Sequence, residues 1–137
     1  MGNRALTAST WFLRIALSAA FLSAVADRLG IWGGPGADGI AWGDWYYFSL
    51  YAAELTGILP LFLQEPAAWV ATVAEIVLGI GLLIGWKLRY FALASGILLL
   101  IFALSMTIAF GIKSPLDYSV FTASAGAFLL AAIPDNS

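Results

Sequence analysis

The chain has 137 residues, of which 62% are hydrophobic and only 10% are charged. Soluble domains carry about 25% charged residues, so this composition excludes an ordinary water-soluble domain and indicates an integral membrane protein. The net charge of −2, with no basic block in the sequence, excludes an electrostatic surface for nucleic acid.

Histidine and cysteine are both absent from the sequence. The usual axial ligands of haem, the thiolates that hold iron–sulfur clusters and histidine-based metal sites are therefore missing. We expect no haem, no iron–sulfur cluster, no metal site and no covalently bound cofactor, and we assign no catalytic residue.

Four apolar stretches approach the length of about 20 residues that a helix needs to cross a bilayer. They lie at 11–28, 67–86, 90–112 and 118–133 and use most of the chain. The loop between the first two, 29–66, is too short for a separate domain. The sequence therefore predicts one all-α domain over 1–137, a polytopic membrane protein built as a four-transmembrane-helix bundle.

The first stretch carries Arg14 near its start and Arg28 at its end. Its beginning also suits a secretory signal, with an apolar region at 15–23 and small residues at a cleavage site, 24–26. We expect instead that the stretch is kept as the first span. On a helical wheel the two arginines share one stripe, so both are within reach of the same neighbouring span.

The loop 29–66 is predicted to contain an extra helix. A Gly-Gly-Pro-Gly turn occupies 33–36, and Asp44 is placed to cap a helix that runs to about Thr56. Amphipathic aromatic residues favour the headgroup level of a bilayer, so we expect an interfacial helix that either covers the bundle or only anchors it. We predict an aromatic pocket wall made of Phe21, Trp45, Tyr47 and Tyr51.

Glu75 lies in the middle of the second predicted span. A carboxylate at this depth costs roughly 2.5–3.5 kcal/mol on insertion scales, so it requires a partner, a proton or a function. Side chains lean toward the N-terminus of their own helix, so Glu75 and Arg28 lean toward each other in antiparallel spans. We predict that Arg28 is the partner of Glu75, and that Arg14 is either a second donor or reaches the inner headgroups. Glu75 is then either protonated, or ionised and held by an arginine.

The basic residues near the ends of the spans predict the orientation of the chain. Arg4, Arg14, Lys87 and Arg89 fall on one side, whereas the loop 29–66 holds four acidic residues and no basic one. Short cytoplasmic loops are enriched in lysine and arginine. We therefore expect both termini in the cytoplasm and the loop outside, in a cytoplasmic (inner) membrane.

Three groups of residues, spread over nearly the whole chain, form a family-like pattern. They are Leu13-Arg14-Ile15-Ala16-Leu17 followed by Phe21 and Arg28; Ala74-Glu75-Ile76 followed by Gly79 and Gly85; and the turn Lys87-Leu88-Arg89. Together with the stretches FLSAVADRLGIWG and IKSPLDYSVF, this pattern resembles the DoxX family of small four-helix membrane proteins. The resemblance implies association with membrane-bound, often quinone-linked oxidation, since the family is named after a subunit of a thiosulfate:quinone oxidoreductase.

Carried over to this chain, the resemblance places Arg14, Arg28 and Glu75 at the polar positions of the family pattern. We expect Asp117 to add a further polar group at the outer rim of this site. Relatives that exchange electrons between thiols and quinone depend on cysteines, which this chain lacks. Their chemistry therefore does not transfer to it.

The preferred functional hypothesis is an accessory integral membrane subunit of a redox system that binds a quinone or a lipid beside Arg28 and Glu75. Such a subunit is not catalytic alone and acts with an oxidoreductase partner subunit in the lipid bilayer.

Two alternatives stay open. A dimeric transporter of small molecules or protons would use Glu75 as its membrane-embedded carboxylate, although small multidrug exporters carry theirs on the first helix. This hypothesis predicts a homo-oligomer. A non-catalytic assembly or scaffold protein would use the ion pair only to fix the register of two helices.

Overall fold

The computed structural model describes residues 2–134, and all regular secondary structure in that range is helical. The all-α prediction is confirmed for this part of the chain. The ends of the predicted domain, residue 1 and residues 135–137, lie outside the described residues. The six helices are α1 (Gly2–Arg28), α2 (Trp45–Leu55), α3 (Leu61–Ile84), α4 (Leu88–Phe110), α5 (Lys113–Asp117) and α6 (Val120–Ala132).

Three of these helices are long and apolar enough to cross a membrane: Asn3–Arg28, Leu61–Ile84 and Leu88–Phe110. They correspond to the first three predicted spans, and they support the prediction of a membrane protein. The second begins before the predicted residue 67, because Pro66 lies one turn inside α3 rather than ahead of it. At that place the missing proline N–H leaves only the carbonyl of Phe62 without its helical partner.

The fourth apolar helix, α6, has 13 residues and is shorter than the predicted stretch 118–133. At 1.5 Å per residue it is about 20 Å long, whereas the hydrocarbon core is about 30 Å thick. The helix begins late because Ser119 has a positive φ of 57°, which separates α6 from the short helix α5. The count of four spans therefore stays a prediction.

The long helices form a bundle in which α1 and α4 each contact both α3 and α6. Helices α1 and α3 run antiparallel, since the end of α1 contacts the middle of α3 while Arg14 contacts the end of α3. The buried apolar core draws on all four helices and consists of Leu17, Phe21, Leu78, Leu82, Ala92, Ala127, Leu130 and Ala131.

Two glycines allow neighbouring helices to approach closely. Ser18 of α1 donates a hydrogen bond to the carbonyl of Gly79 in α3 at 2.7 Å, and Ser124 of α6 donates one to the carbonyl of Gly96 in α4 at 2.7 Å. A Cβ on Gly96 would lie 2.8 Å from the Phe128 ring. Small residues at these crossings are the usual device for bringing membrane helices together.

Helix α2 covers one end of the bundle, here called the α2 end. Asp44 caps α2, because its Oδ1 accepts a hydrogen bond from the backbone N–H of Tyr47 at 3.0 Å. Phe48 and Ala52 on the inner side of α2 are buried against Ala68 of α3. The position of α2 at a membrane interface stays a prediction.

Candidate functional site

A buried ion pair joins α1 to α3 near the α2 end. Nη1 of Arg28 donates hydrogen bonds to Oε2 of Glu75 and, at 2.9 Å, to Oγ1 of Thr72. Arg28 is 4% exposed and Glu75 is 3% exposed. The predicted pairing of Glu75 with Arg28 is confirmed.

The helical spacing of α3 explains how Thr72 joins this pair. Residues three apart lie on one face of a helix, so Thr72 and Glu75 both point toward α1. The Thr72 hydroxyl donates its own proton to the carbonyl of Ala68 at 2.8 Å, which leaves its oxygen free to accept from Arg28. The sequence analysis gave Thr72 no role, although its place one turn before Glu75 is a usable signal.

Aromatic rings cover the cation of this pair. The guanidinium carbon of Arg28 lies 4.0 Å from the centre of the Phe48 ring and 5.4 Å from that of Trp42. Such contacts contribute about 0.5–1 kcal/mol at exposed sites and about 2 kcal/mol or more when desolvated. Helix α2 and the loop before it are therefore held on the α1–α3 pair by attraction to Arg28.

A buried donor of Arg28 has no partner. Within residues 2–134, the Nε of Arg28 is the buried side-chain nitrogen that has no hydrogen-bond partner. An unmade hydrogen bond of this kind costs about 1–3 kcal/mol, and more for a charged group. The guanidinium therefore keeps an N–H donor for one further hydrogen bond.

Asp27 fixes the loop that covers Arg28. Its carboxylate accepts hydrogen bonds from three successive backbone N–H groups, those of Ala41 (2.9 Å), Trp42 (2.8 Å) and Gly43 (3.0 Å). Gly43 has a positive φ of 80°, a conformation that favours glycine. Asp27 thus places Trp42 against the neighbouring Arg28. The sequence pattern does not predict this role of Asp27, whose only signal is an acidic group beside Arg28 ahead of a glycine-rich loop.

A cavity of about 800 Å³ borders the ion pair and is enclosed mainly by α1, α2, α3 and α4. Its charged lining residues are Arg28 and Glu75, and most of the remaining wall is aliphatic or aromatic. Ligand pockets usually measure about 300–1,000 Å³ and combine apolar walls with a few polar groups. The size and chemistry of the cavity therefore suit an amphipathic small molecule.

Two of the four predicted wall residues line this cavity, namely Phe21 and Tyr51. Trp45 does not line it. Its ring stacks on that of Trp69, with 4.1 Å between the ring centres, and its indole N–H donates a hydrogen bond to Glu65 at 2.7 Å.

Tyr47 does not line the cavity either, since it is 48% exposed on the outer side of α2. Phe48 of α2 and Trp42 of the preceding loop line the cavity instead.

Tyr51 presents a protonated hydroxyl at this wall. Burial, and then the neighbouring Tyr118, raise the pKa of the Tyr51 phenol above its ordinary value. The group therefore stays neutral at physiological pH and keeps a proton that it can donate.

Arg14 lies at the opposite end of the bundle and takes no part in the Glu75 site. Its Nε and Nη2 donate hydrogen bonds to the carbonyls of Leu82 and Leu83 at 2.7 and 3.0 Å, while Trp11 packs on its guanidinium at 3.8 Å. These carbonyls belong to the last turn of α3, where a helix lacks internal partners. Arg14 is a cap on α3, so the prediction of a second donor to Glu75 is wrong.

Asp117 is also remote from the pair. It accepts a hydrogen bond from Lys113 at 2.8 Å, in an ion pair whose side chains are 52% and 85% exposed. Lys113 and Asp117 are four residues apart on the short helix α5, so the contact is local. The structure does not place Asp117 in the lining of the cavity.

No group of three or more acidic side chains among residues 2–134 is arranged to hold a metal ion. Comparisons with known proteins give no match to this chain, whether with family models, curated proteins or solved structures. The resemblance to the DoxX family stays a prediction.

Proposed function

We propose that this chain is an integral membrane protein that binds an uncharged amphipathic molecule, of quinone or lipid type, in the cavity beside Arg28 and Glu75. The observation that carries the proposal is that Arg28, whose buried Nε has no hydrogen-bond partner, lines a mainly apolar cavity of about 800 Å³. A carbonyl or hydroxyl oxygen of a ligand would accept the missing hydrogen bond. The rings of Phe48 and Trp42, which contact the guanidinium, also line the cavity, so a ligand beside Arg28 would pack against them.

The charge of the site favours an uncharged headgroup. Arg28 and Glu75 neutralise each other, and the described lining of the cavity has no further charge. An anionic or cationic headgroup would therefore bring an unbalanced charge into a buried, mainly apolar space, which is costly. A quinone or a neutral lipid brings oxygen acceptors without that cost.

The proposal includes four membrane crossings, with α5 and α6 together forming the fourth and α2 at the outer interface. Arg4 at the start of α1 and Lys87 with Arg89 in the α3–α4 connection lie at the end opposite α2. By the positive-inside rule, both termini then lie in the cytoplasm, and the protein lies in the inner membrane.

In this proposal the chain is an accessory subunit of a quinone-linked oxidoreductase. The sequence holds no cysteine or histidine, so electrons come from a partner subunit while this chain holds and orients the ligand. The resemblance to the DoxX family supports the same role. A transporter that loads a cation on Glu75 has less support, because the cation must first displace Arg28 from the carboxylate.

The Arg28→Lys variant tests the proposal. Lysine keeps a positive charge for Glu75 but has a single side-chain nitrogen, whereas arginine binds Glu75 through Nη1 and keeps Nε for the ligand. The ligand therefore loses one hydrogen bond to a charged donor. Such a bond contributes about 1.5–3 kcal/mol, so we expect affinity to fall at least about tenfold. The measurement is quenching of tryptophan fluorescence by decylubiquinone in lipid nanodiscs, with empty nanodiscs to correct for partitioning.

The matched control is Arg14→Lys, an equivalent change in the same helix but outside the cavity. It is expected to leave decylubiquinone affinity unchanged. Equal affinities in the Arg28→Lys variant and the unmodified protein would refute the role of Arg28, and unsaturable quenching of the unmodified protein would refute a quinone ligand.

A further inference from the structure

A second concave feature runs along the outside of the bundle between α3 and α4. This groove has a volume of about 710 Å³ and is lined by ten residues, all of them apolar. Most of its side chains are exposed, for example Val77 at 51% and Ile97 at 48%, whereas Leu78 is buried. In a membrane the groove faces the acyl chains of the bilayer.

The groove adjoins the cavity beside Arg28 and Glu75. Val70 and Ala74 of α3 and Leu98 and Ile101 of α4 line both spaces. Ala74 directly precedes Glu75 in α3. The groove therefore lies next to the cavity, and the two spaces share these four side chains as a common wall.

We infer that this groove binds the hydrocarbon tail of the molecule whose polar head lies beside Arg28. The inference rests on the proposed function and adds to it the binding site of the tail and the route of entry. The wholly apolar lining fits an alkyl or isoprenoid chain and offers nothing to a polar group. The wall that it shares with the cavity distinguishes this groove from an ordinary lipid-facing surface, because an occupant with its head at Arg28 and its tail between α3 and α4 would pass only between those four side chains.

The dimensions agree with this occupant. From Val70 to Val77 the groove follows α3 for about 10 Å, at 1.5 Å per residue. A tail of ten carbons therefore reaches well into it once the head is in the cavity. A tail-free head would occupy the cavity alone.

The Ala94→Trp variant tests the inference, because Ala94 lines the groove but not the cavity. An indole at this position adds bulk within the groove and lies outside the cavity that Arg28 and Glu75 line. We expect the affinity for decylubiquinone to fall at least tenfold, and that for the tail-free head, 2,3-dimethoxy-5-methylbenzoquinone, to change less than twofold. Val77→Trp is a second blocking variant with the same expectation, in case the first does not fold.

The matched control is Ala109→Trp, which adds the same side chain at an exposed position of α4 outside both spaces. It should leave both affinities unchanged. Unchanged decylubiquinone binding in both blocking variants, or equal losses for the two probes, would overturn the inference while the proposed function stands. Absence of saturable binding of either probe to the unmodified protein would overturn the proposed function itself.

Competition identifies the source of the tail. Displacement of decylubiquinone by 1-decanoylglycerol from the unmodified protein, but not from Ala94→Trp, supports the groove and points to an acyl lipid. If 1-decanoylglycerol displaces no decylubiquinone, and Ala94→Trp still loses affinity for decylubiquinone but not for the tail-free head, the groove is supported and the ligand is a quinone.

Discussion

Replacing Glu75 with leucine is expected to lower the free energy of unfolding by about 3–5 kcal/mol, because Arg28 then becomes a buried cation without its counter-charge. The double variant Arg28→Met/Glu75→Leu should recover most of this loss. Buried ion pairs are often replaceable by apolar residues of similar volume at little cost, since the desolvation of both charges is removed together. The unfolding free energies of the two single variants and the double variant, measured in mixed micelles, form a thermodynamic cycle.

The exposed pair on α5 is the control for this cycle. Lys113→Met and Asp117→Asn should each change the unfolding free energy by no more than about 0.5 kcal/mol, because solvent screens the exposed pair. If Glu75→Leu is as stable as the unmodified protein, or if the double variant loses as much as both single variants combined, the pair does not hold α1 to α3 as described.

Replacing Asp27 with alanine is the second change with a large expected effect. Three backbone N–H groups, at residues 41–43, lose a charged acceptor at once, and each such bond contributes about 1.5–3 kcal/mol. We expect the loop to release Trp42 from Arg28. The amide hydrogens of residues 41–43 should then exchange with deuterium at least about 100-fold faster, which corresponds to about 2.7 kcal/mol, the loss of one such bond. Hydrogen–deuterium exchange followed by mass spectrometry gives the rate.

Asp27→Asn keeps one acceptor oxygen and should give an intermediate rate. Asp44→Ala serves as the control, since it removes a single helix-capping bond and costs about 1 kcal/mol at the start of α2. Unaltered exchange at residues 41–43 in Asp27→Ala would mean that the carboxylate does not hold the loop.

The residues that could be identified from the sequence are those whose position follows from helix geometry. Glu75 stands out because a carboxylate in an apolar stretch is costly. Its pairing with Arg28 follows from two antiparallel helices and the lean of side chains toward their N-termini. Both observations need only local sequence, and the structure shows the pair in contact.

The remainder of the site depends on tertiary contacts that no periodicity encodes. Arg14 shares a helical stripe with Arg28, yet the direction of α3 brings the carbonyls of its last turn, and not Glu75, within reach of Arg14. The loop folds back so that Trp42 covers Arg28, and the contact of Asp27 with residues 41–43 helps to hold it there. The length of α6 was overestimated because hydropathy does not report the backbone turn at Ser119.

The most direct test of the ligand site is to identify what the protein retains during purification. After extraction from native membranes in a mild detergent, native mass spectrometry gives the mass of any molecule bound to the intact chain. The account predicts about one uncharged amphiphile with an oxygen acceptor per chain, retained by Arg14→Lys and lost from Arg28→Lys. Equal retention of that molecule by Arg28→Lys, or a bound anionic lipid in its place, would contradict the account.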